Sequence, residues 1–306
     1  SEMCIRDSMA VLRFRNEIYA VNRNSIEVFT QRIQDPNYPP PPYPFVRVDG
    51  AQVQKGAVGT HAACVFNEVI AFVGSGPNES LAVYLAMNGS LDRISTQEID
   101  LLLMQWTDAE LKNIVVEARN DKAHQLLYIH LLDRTIVFDH AASQKTGVHV
   151  WWQLTSTLDG FSQYRARNLV WCYNRWNVAD PTTAKIGYLD RRVSSHYGDH
   201  VRWEFSTLFV YNEAKGAIIS QLEVVGFTGA LNEVGTGPIE SDYSLDGVSW
   251  SQPRTIQAGA VGARNKRLVW FRQGFWRNRR IQRFRGTTQA RIAPMGIELQ
   301  VEGCAY

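Results

Sequence analysis

Alternating apolar and polar positions in residues 124–152 predict a pair of β-strands. Residues 125–131 are dense in apolar, aromatic and β-branched side chains, Asp133 and Arg134 form a tight turn, and residues 135–139 return as a second strand. The same unit occurs in three further copies along the first two thirds of the chain. The first-strand aromatic residues are Tyr19, Phe72, Tyr128 and Trp171, and the second-strand aromatic residues are Phe29, Tyr84, Phe138 and Tyr188.

The spacing of these copies is nearly constant. The second-strand aromatic residues are 55, 54 and 50 positions apart. A period of about 40 to 55 residues that contains several short strands is typical of β-propellers, in which each blade is a small antiparallel sheet. The copies therefore predict four blades over residues 9–200, forming an incomplete propeller, with the four first-strand aromatic residues on equivalent strands. The alternative is an all-β chain with hairpins at irregular spacing, which the near-constant step disfavours.

The repeat ends near residue 200. Residues 201–306 contain six or seven strand patterns without the blade period, separated by glycine-rich turns, and this predicts a β-sandwich. In this part, the segment SLDGVSW at 244–250 predicts a hairpin with Asp246 and Gly247 at its tip. The predicted fold class is all-β, with propeller blades followed by a β-sandwich-like domain.

Three short segments stand apart from these patterns. Residues 36–44, PNYPPPPYP, cannot join a sheet ladder and predict a stiff connector between blades, with a PxxP docking motif as the alternative. Residues 107–110, TDAE, form a capping box that predicts the only convincing short helix. Residues 1–8, SEMCIRDS, resemble translated sequencing-adaptor read-through, so we exclude them from the fold and expect the chain to be a fragment.

Composition bears on membrane insertion and on the state of the cysteines. The 306 residues are 45% apolar and 20% charged, and no apolar run approaches the roughly 20 residues that a membrane helix needs, so we expect no membrane partner. Apart from Cys4, the cysteines are Cys64, Cys172 and Cys304. An odd number without CxxC spacing predicts buried thiols in a protein made in a reducing cytoplasm. The net charge of +2 points to no particular partner.

Sequence motifs for catalysis are missing, since the chain has no GxSxG elbow, P-loop, HExxH or dinucleotide fingerprint. His196 and His200 lie in a glycine-containing turn, where two imidazoles need not point the same way. Asp139 and Asp190 end equivalent second strands, where capping a turn is commoner than acid–base catalysis. We therefore expect no enzyme activity, no catalytic residue, no metal and no cofactor.

One stretch departs sharply from a mixed surface. Between Asp246 and Glu298 the sequence has no acidic residue and eleven cations, interleaved with aromatic residues. Guanidinium groups bind anions bidentately and stack on rings, so this mix is typical of a surface that meets phosphates or an acidic partner. Alternation along a strand would place Arg277, Arg279 and Arg283 on one face. The candidate binding residues are Arg267, Arg272, Arg277, Arg279, Arg280, Arg283, Arg285, Trp270 and Trp276. The alternative is a solvated strand face whose counter-charges come from elsewhere in the fold.

Several segments, taken in order, resemble a known family. They are GTHAACVFNEVIAFVGSG at 59–76, IHLLDRTIVFDHAAS at 129–143, SLDGVSWS at 244–251 and KRLVWFRQGFWRNRRIQRFR at 266–285. Over roughly residues 50 to 300 their order and spacing are similar to the packaged-DNA stabilisation protein of short-tailed bacteriophages, a tail hub or head-completion protein.

The resemblance implies a structural virion protein of the phage tail, assembled in the host cytoplasm. Its implied partners are further copies of itself in a hexameric ring, the portal-adaptor proteins, the tail needle and the tailspike proteins. It also implies that the ring seals the portal channel and retains the packaged DNA, with the arginine run facing either the DNA channel or a partner protein.

Two other classes of protein remain open from the sequence. A glycan-binding or sialidase-like propeller is suggested by SLDGVSW, which loosely resembles a sialidase Asp-box but lacks one residue between Asp246 and Gly247 and occurs once. A cellular scaffold propeller is the third class, and it would need a partner that the sequence does not name.

Overall fold

The computed structural model describes residues 8–32, 44–212, 215–229, 237–260, 262–287 and 293–304. The chain forms two compact units, one of residues 1–155 with 161–186 and one of residues 156–160 with 187–306. Strands dominate both units, which confirms the all-β prediction. Within the described ranges, no helix is long and apolar enough to cross a membrane. Cys4 and the proline-rich stretch up to residue 43 lie outside the described residues.

The described residues of the first unit form four small sheets, each built from strands that are consecutive in sequence. The first sheet consists of β1 (Ser8–Phe14), β2 (Glu17–Asn22), β3 (Ile26–Gln31) and β4 (Phe45–Arg47). The second consists of β5 (Gly56–Ala57), β6 (Ala63–Phe66), β7 (Val69–Ser75), β8 (Ala82–Met87) and β9 (Ser90–Arg93). The third consists of β10 (Val115–Asp121), β11 (His124–His130), β12 (Thr135–Asp139) and β13 (Val150–Leu154), and the fourth of β14 (Arg167–Cys172), β15 (Arg175–Ala179) and β16 (Ile186–Tyr188).

Early strands of successive sheets lie next to one another. β6 contacts both β1 and β10, and β10 contacts β14. One apolar core runs through the first three sheets, and Phe66, Phe72 and Phe138 are among its largest enclosed side chains. Sheets that bury their faces against their neighbours in this order are arranged as propeller blades.

The first-strand aromatic residues do not all occupy equivalent positions. Tyr19, Phe72 and Tyr128 are buried on strands that have a neighbouring strand on each side. Trp171 instead lies on β14, an edge strand of the fourth sheet, and is 55% exposed. The prediction of four equivalent strands is therefore correct for three copies and wrong for Trp171. The reason is that β15 lies between the strands of Trp171 and Tyr188, whereas in the other copies the two aromatic residues lie on adjacent strands.

In the described part of the first unit, three short helices connect the strands, namely α1 (Gln97–Leu103), α2 (Asp108–Leu111) and α3 (His140–Thr146). α2 begins at the predicted capping box, where the Glu110 amide donates to Thr107 Oγ1 at 3.4 Å and the Thr107 amide donates to Glu110 Oε2 at 2.9 Å. The prediction of a single convincing helix is wrong. α3 begins where Asp139 accepts a hydrogen bond from the Ala142 amide at 3.0 Å, and it ends at Gly147, whose φ is 73°.

The second unit, where it is described, contains two sheets that face each other. Its strands are β17 (Arg202–Ser206), β18 (Val210–Tyr211), β19 (Ala217–Phe227), β20 (Pro238–Ser244), β21 (Arg254–Gln257), β22 (Leu268–Trp276), β23 (Arg279–Thr287) and β24 (Ala293–Gly303). One sheet has the order β17, β23, β20, β21, with β18 also paired to β23, and the other has the order β22, β19, β24. Trp270 of one sheet and Phe284 of the other are buried with ring centroids 5.6 Å apart. Two sheets packed over a shared core form the predicted sandwich.

The histidine and cysteine side chains of the described residues include no metal-binding group and no disulfide. His196 Nδ1 lies 2.9 Å from Ser156 Oγ. Among the described residues, no group of three or more His, Cys, Asp or Glu side chains is arranged to hold a metal ion. Cys64, Cys172 and Cys304 are free thiols that are partly buried. Burial raises the pKa of the Cys64 thiol to about 12.

Candidate partner-binding surface

The arginine-rich run folds into β22, a two-residue turn and β23. Side chains alternate along β23, so Arg279, Arg283 and Arg285 point away from the core whereas Arg280 is buried. Arg277 lies in the turn and belongs to neither strand. The predicted common face is therefore wrong for Arg277, because a residue in a chain reversal does not follow the alternation of the strand.

Two outward-facing arginines of β23 are paired with carboxylates of β20. Arg283 donates to the two oxygens of Asp242 at 2.9 and 2.7 Å. Arg285 lies 2.9 Å from Asp242 and 3.3 Å from Glu240. The strand register places Arg283 opposite Asp242 and Arg285 opposite Glu240. The hydrogen bonds to buried Asp242 raise the pKa of Arg283. These two arginines therefore receive their counter-charges from within the fold.

Arg280 points into the interior of the sandwich and is 1% exposed. Its Nη1 donates to the Gln273 carbonyl at 2.7 Å, and its Nε and Nη2 donate to Gln282 Oε1 at 3.0 and 2.8 Å. The guanidinium carbon lies 3.9 Å from the ring centroid of Tyr243. Burial lowers the pKa of Arg280 to about 10, so the side chain remains charged at neutral pH. Because Arg280 is enclosed by its own fold, its side chain is not available to a partner.

Arg267 precedes β22 and pairs across the sheet with Glu223 of β19. Its Nε donates to Glu223 Oε1 at 2.9 Å, and its Nη2 donates to Glu223 Oε2. This pairing raises the pKa of Arg267 and lowers the pKa of Glu223. Arg267 is thus an exposed cation whose charge is already balanced.

Arg272, Arg277 and Arg279 are exposed, and within the described part of the chain none of them has a carboxylate partner. The guanidinium carbon of Arg279 lies 4.8 Å from the ring centroid of Phe209. Arg272 has a φ of 53° and lies beside the irregularity where β19 and β22 shift register. The nine candidate residues therefore do not form one surface, and as far as the described ranges show, only these three arginines among them present an unbalanced charge to solvent.

The aromatic residues of the run also divide between the core and the surface. Trp270 and Trp276 are buried, so neither ring can stack on a partner. Trp270 Nε1 donates to the Arg254 carbonyl at 2.8 Å and ties β22 to β21. The exposed rings are Phe271 and Phe275, at 62% and 54%. Alternation within β22 was the sequence signal that could have separated Trp270 from Phe271.

A groove of about 640 Å³ lies where β21 of one sheet meets β22 of the other. It is lined by Ser220, Arg254, Thr255, Ile256, Val269, Trp270, Phe271 and Arg272. Arg254 Nη1 donates to the carbonyls of Phe271 and Arg272, at 2.8 Å each. Arg254 was absent from the predicted set, because it lies 18 positions before Arg272 and only the packing of the two sheets brings them together.

Two family models match this chain, one over the propeller blades and one over the sandwich. A family model described as bacteriophage P22 Gp10, β-propeller, matches residues 7–194, and a second, described as bacteriophage P22 Gp10, β-sandwich, matches residues 202–302. The chain belongs to the bacteriophage P22 Gp10 family. This confirms the resemblance found in the sequence and the predicted order of propeller and sandwich.

One curated relative of the Gp10 family is the tail hub protein gp10 of Salmonella phage P22. It is 27% identical over 263 residues, which make up 84% of this chain and 53% of the relative. The chain thus spans about half the length of that relative. Among solved structures, a GH43 glycoside hydrolase engineered for endo-xylanase and exo-arabinofuranosidase activity aligns with 98% of this chain and 86% of its own, at 8% identity and a TM-score of 0.32. That score is too low to carry an argument about fold or activity.

In this Gp10-family sandwich, the SLDGVSW segment connects β20 to the antiparallel strand β21, as the hairpin prediction expected. Asp246 accepts hydrogen bonds from the Ser249 hydroxyl, from the Val248 and Ser249 amides at 2.8 Å each, and from the Ser244 hydroxyl at 2.9 Å. These bonds, led by that of the Ser249 hydroxyl, lower the pKa of Asp246. The carboxylate holds its own loop together, which accounts for the Asp-box likeness without a ligand.

Proposed function

We propose that the chain is a structural component of a bacteriophage tail hub and not an enzyme. The observation that carries the proposal is the match of both units, in the same order, to the Gp10 family and to the tail hub protein of Salmonella phage P22. Because the chain spans about half of that relative, the role of the whole relative is carried over here as a proposal.

In its proposed role, the protein forms a hexameric ring in the virion, which seals the portal channel after packaging and retains the DNA. Its partners are further copies of itself, the portal-adaptor proteins, the tail needle and the tailspike proteins. Any contact with packaged DNA would be independent of sequence. The protein would assemble in the host cytoplasm and remain in the virion tail. Closed rings multiply individually modest interfaces by symmetry, which suits such a role.

The second unit exposes several apolar side chains. Leu208, Val248 and Met295 are 90%, 84% and 72% exposed, and Phe271 of the arginine-rich run is exposed as well. Contiguous apolar patches rimmed by polar groups mark interaction sites, whereas apolar residues exposed singly are common on any protein surface. Phe271 lines one groove together with Arg254 and Arg272, so it is the exposed apolar residue that supports an assembly role.

The test is to interrupt the gene for the complete protein in the phage that encodes it. We expect heads that package DNA and then lose it, measured as nuclease-sensitive DNA, and electron micrographs of particles that lack a hub below the portal. Supplying the gene from a plasmid should restore both properties. Particles that retain their DNA and carry a complete tail without this protein would refute the proposed function.

A further inference from the structure

The groove between β21 and β22 combines two strand edges with two cations. Each of these strands is the last of its sheet in the described part of the fold, so β21 pairs with β20 alone and β22 with β19 alone. Side chains already use some of these backbone groups, since the Phe271 and Arg272 carbonyls accept from Arg254 and the Arg254 carbonyl accepts from Trp270. The other amide and carbonyl groups on the unpaired side of an edge strand can be satisfied by a further extended segment. Arg254 stands on β21 and Arg272 on β22, on the two sides of the groove.

The charge of the groove is unbalanced. None of its described lining residues is acidic, whereas Arg254 and Arg272 are both exposed. This differs from β23, where Asp242 and Glu240 neutralise Arg283 and Arg285. Arg254 donates to two carbonyls through Nη1, which holds its guanidinium at the groove wall. The site is therefore a fixed positive position in a groove whose remaining lining is largely apolar.

The surroundings of the groove favour a protein segment over nucleic acid. Beside its two arginines, the groove is lined by Ile256, Val269 and Phe271. An apolar lining gives a phosphate backbone no partner, whereas apolar side chains of a peptide can pack against it. Phe271 adds an exposed apolar ring beside the cations, and an extended peptide can place apolar and acidic side chains in alternation on its two faces.

We propose that the groove between β21 and β22 binds an extended acidic segment of a partner protein, whose carboxylates pair with Arg254 and Arg272 and whose backbone lies along the strand edges. This inference rests on the proposed function only in taking the chain to be an assembly protein. The two arginines of the groove differ from the arginines of β23 that are paired with carboxylates within the fold.

The test uses the purified chain and a fluorescein-labelled ten-residue peptide of alternating Glu and Thr. We expect saturable binding by fluorescence anisotropy that weakens as salt is raised, and no binding of the matched peptide of alternating Lys and Thr. Arg272→Asn should reduce the affinity about tenfold, because it removes one charge-assisted hydrogen bond, while Asn still tolerates a φ of 53°. Arg254→Gln should cause a comparable loss.

Lys122→Asn is the matched control. Lys122 is an exposed cation with a φ of 57° in the first unit, so this change removes the same charge at a similar backbone conformation and should leave peptide affinity unchanged. Circular dichroism and a urea titration of each variant show whether it folds. Arg254→Gln loses two hydrogen bonds to the backbone, so a folding defect there would leave Arg272→Asn as the deciding variant.

Three outcomes would overturn the inference: no binding of the acidic peptide, equal binding by wild type and folded Arg272→Asn, or tighter binding of a ten-residue oligothymidylate than of the peptide. The last outcome would assign the groove to nucleic acid. Each of these results concerns the purified chain alone. Failure of the tail hub role would instead appear as DNA retention and complete tails in the gene interruption, so the two failures are distinguishable.

Discussion

Arg283→Gln tests whether the arginines of β23 stabilise the fold rather than bind a partner. The side chains of Arg283 and Asp242 are 15% and 1% exposed, so solvent screens their interaction weakly. The substitution removes two charge-assisted hydrogen bonds, each with a net contribution of about 1.5 kcal/mol. It also removes the guanidinium from the face of Trp250, whose ring centroid lies 3.7 Å away. Arg285 continues to pair with Asp242 at 2.9 Å and offsets part of the loss.

We therefore expect Arg283→Gln to lower the free energy of unfolding of the second unit by about 2 to 3 kcal/mol. For a unit of this size, that corresponds to a melting temperature lower by about 8 to 12 °C. The assay is hydrogen exchange of the peptides covering β20 and β23 across a urea series, which reports on the second unit separately from the first. Combining Arg283→Gln with Asp242→Asn should show a coupling of about 1 to 3 kcal/mol.

Arg279→Gln is the control for this prediction. Arg279 is exposed on the same face of the same strand and has no carboxylate partner in the described ranges, so its loss should change stability by less than about 0.5 kcal/mol. If Arg283→Gln and Arg279→Gln unfold at the same urea concentration, the pairing with Asp242 does not stabilise the sandwich and the reasoning is wrong.

Three further predictions concern single residues of the first unit. Hydrogen bonds from Arg165, followed by those from neighbouring threonines, hold the pKa of Asp180 well below its usual range. The stability that this provides is complete above about pH 4 and is lost as the pH falls towards the pKa of the folded state. Between pH 5 and 3, thermal melts should therefore show a smaller loss of stability for Asp180→Asn than for wild type. Gly74→Ala should destabilise the second sheet by about 3 kcal/mol or more in urea unfolding, because the added Cβ would lie 1.7 Å from the Gly56 carbonyl oxygen. A soluble variant of wild-type stability would contradict that geometry. Cys64 should resist iodoacetamide at pH 8 in the folded protein and react in urea, as measured by peptide mass spectrometry, because burial raises its pKa to about 12.

The local pattern of side chains was enough to predict most of the fold. The hairpin of β11 and β12 and the capping box of α2 are encoded by residues close together in sequence, because strand alternation and helix capping depend on neighbours a few positions apart. The class of the second unit followed from its strands in the same way. The local pattern did not predict the edge position of Trp171 or the helix α3. An extra strand shifts the pairing of the fourth sheet, and α3 depends on a cap by Asp139, which the pattern of apolar positions does not show.

The candidate site was decided mainly by tertiary structure. The sequence by itself determined that eleven cations occur without a nearby acid along the chain, but counter-charges act through space and not along the sequence. Packing of β23 beside β20 supplies Asp242 to Arg283, and the inward side of the same strand encloses Arg280. Packing of the two sheets brings Arg254 to Arg272 across 18 positions of sequence. Which arginines are balanced, buried or available to a partner therefore depends on strand register and sheet packing, which composition cannot encode.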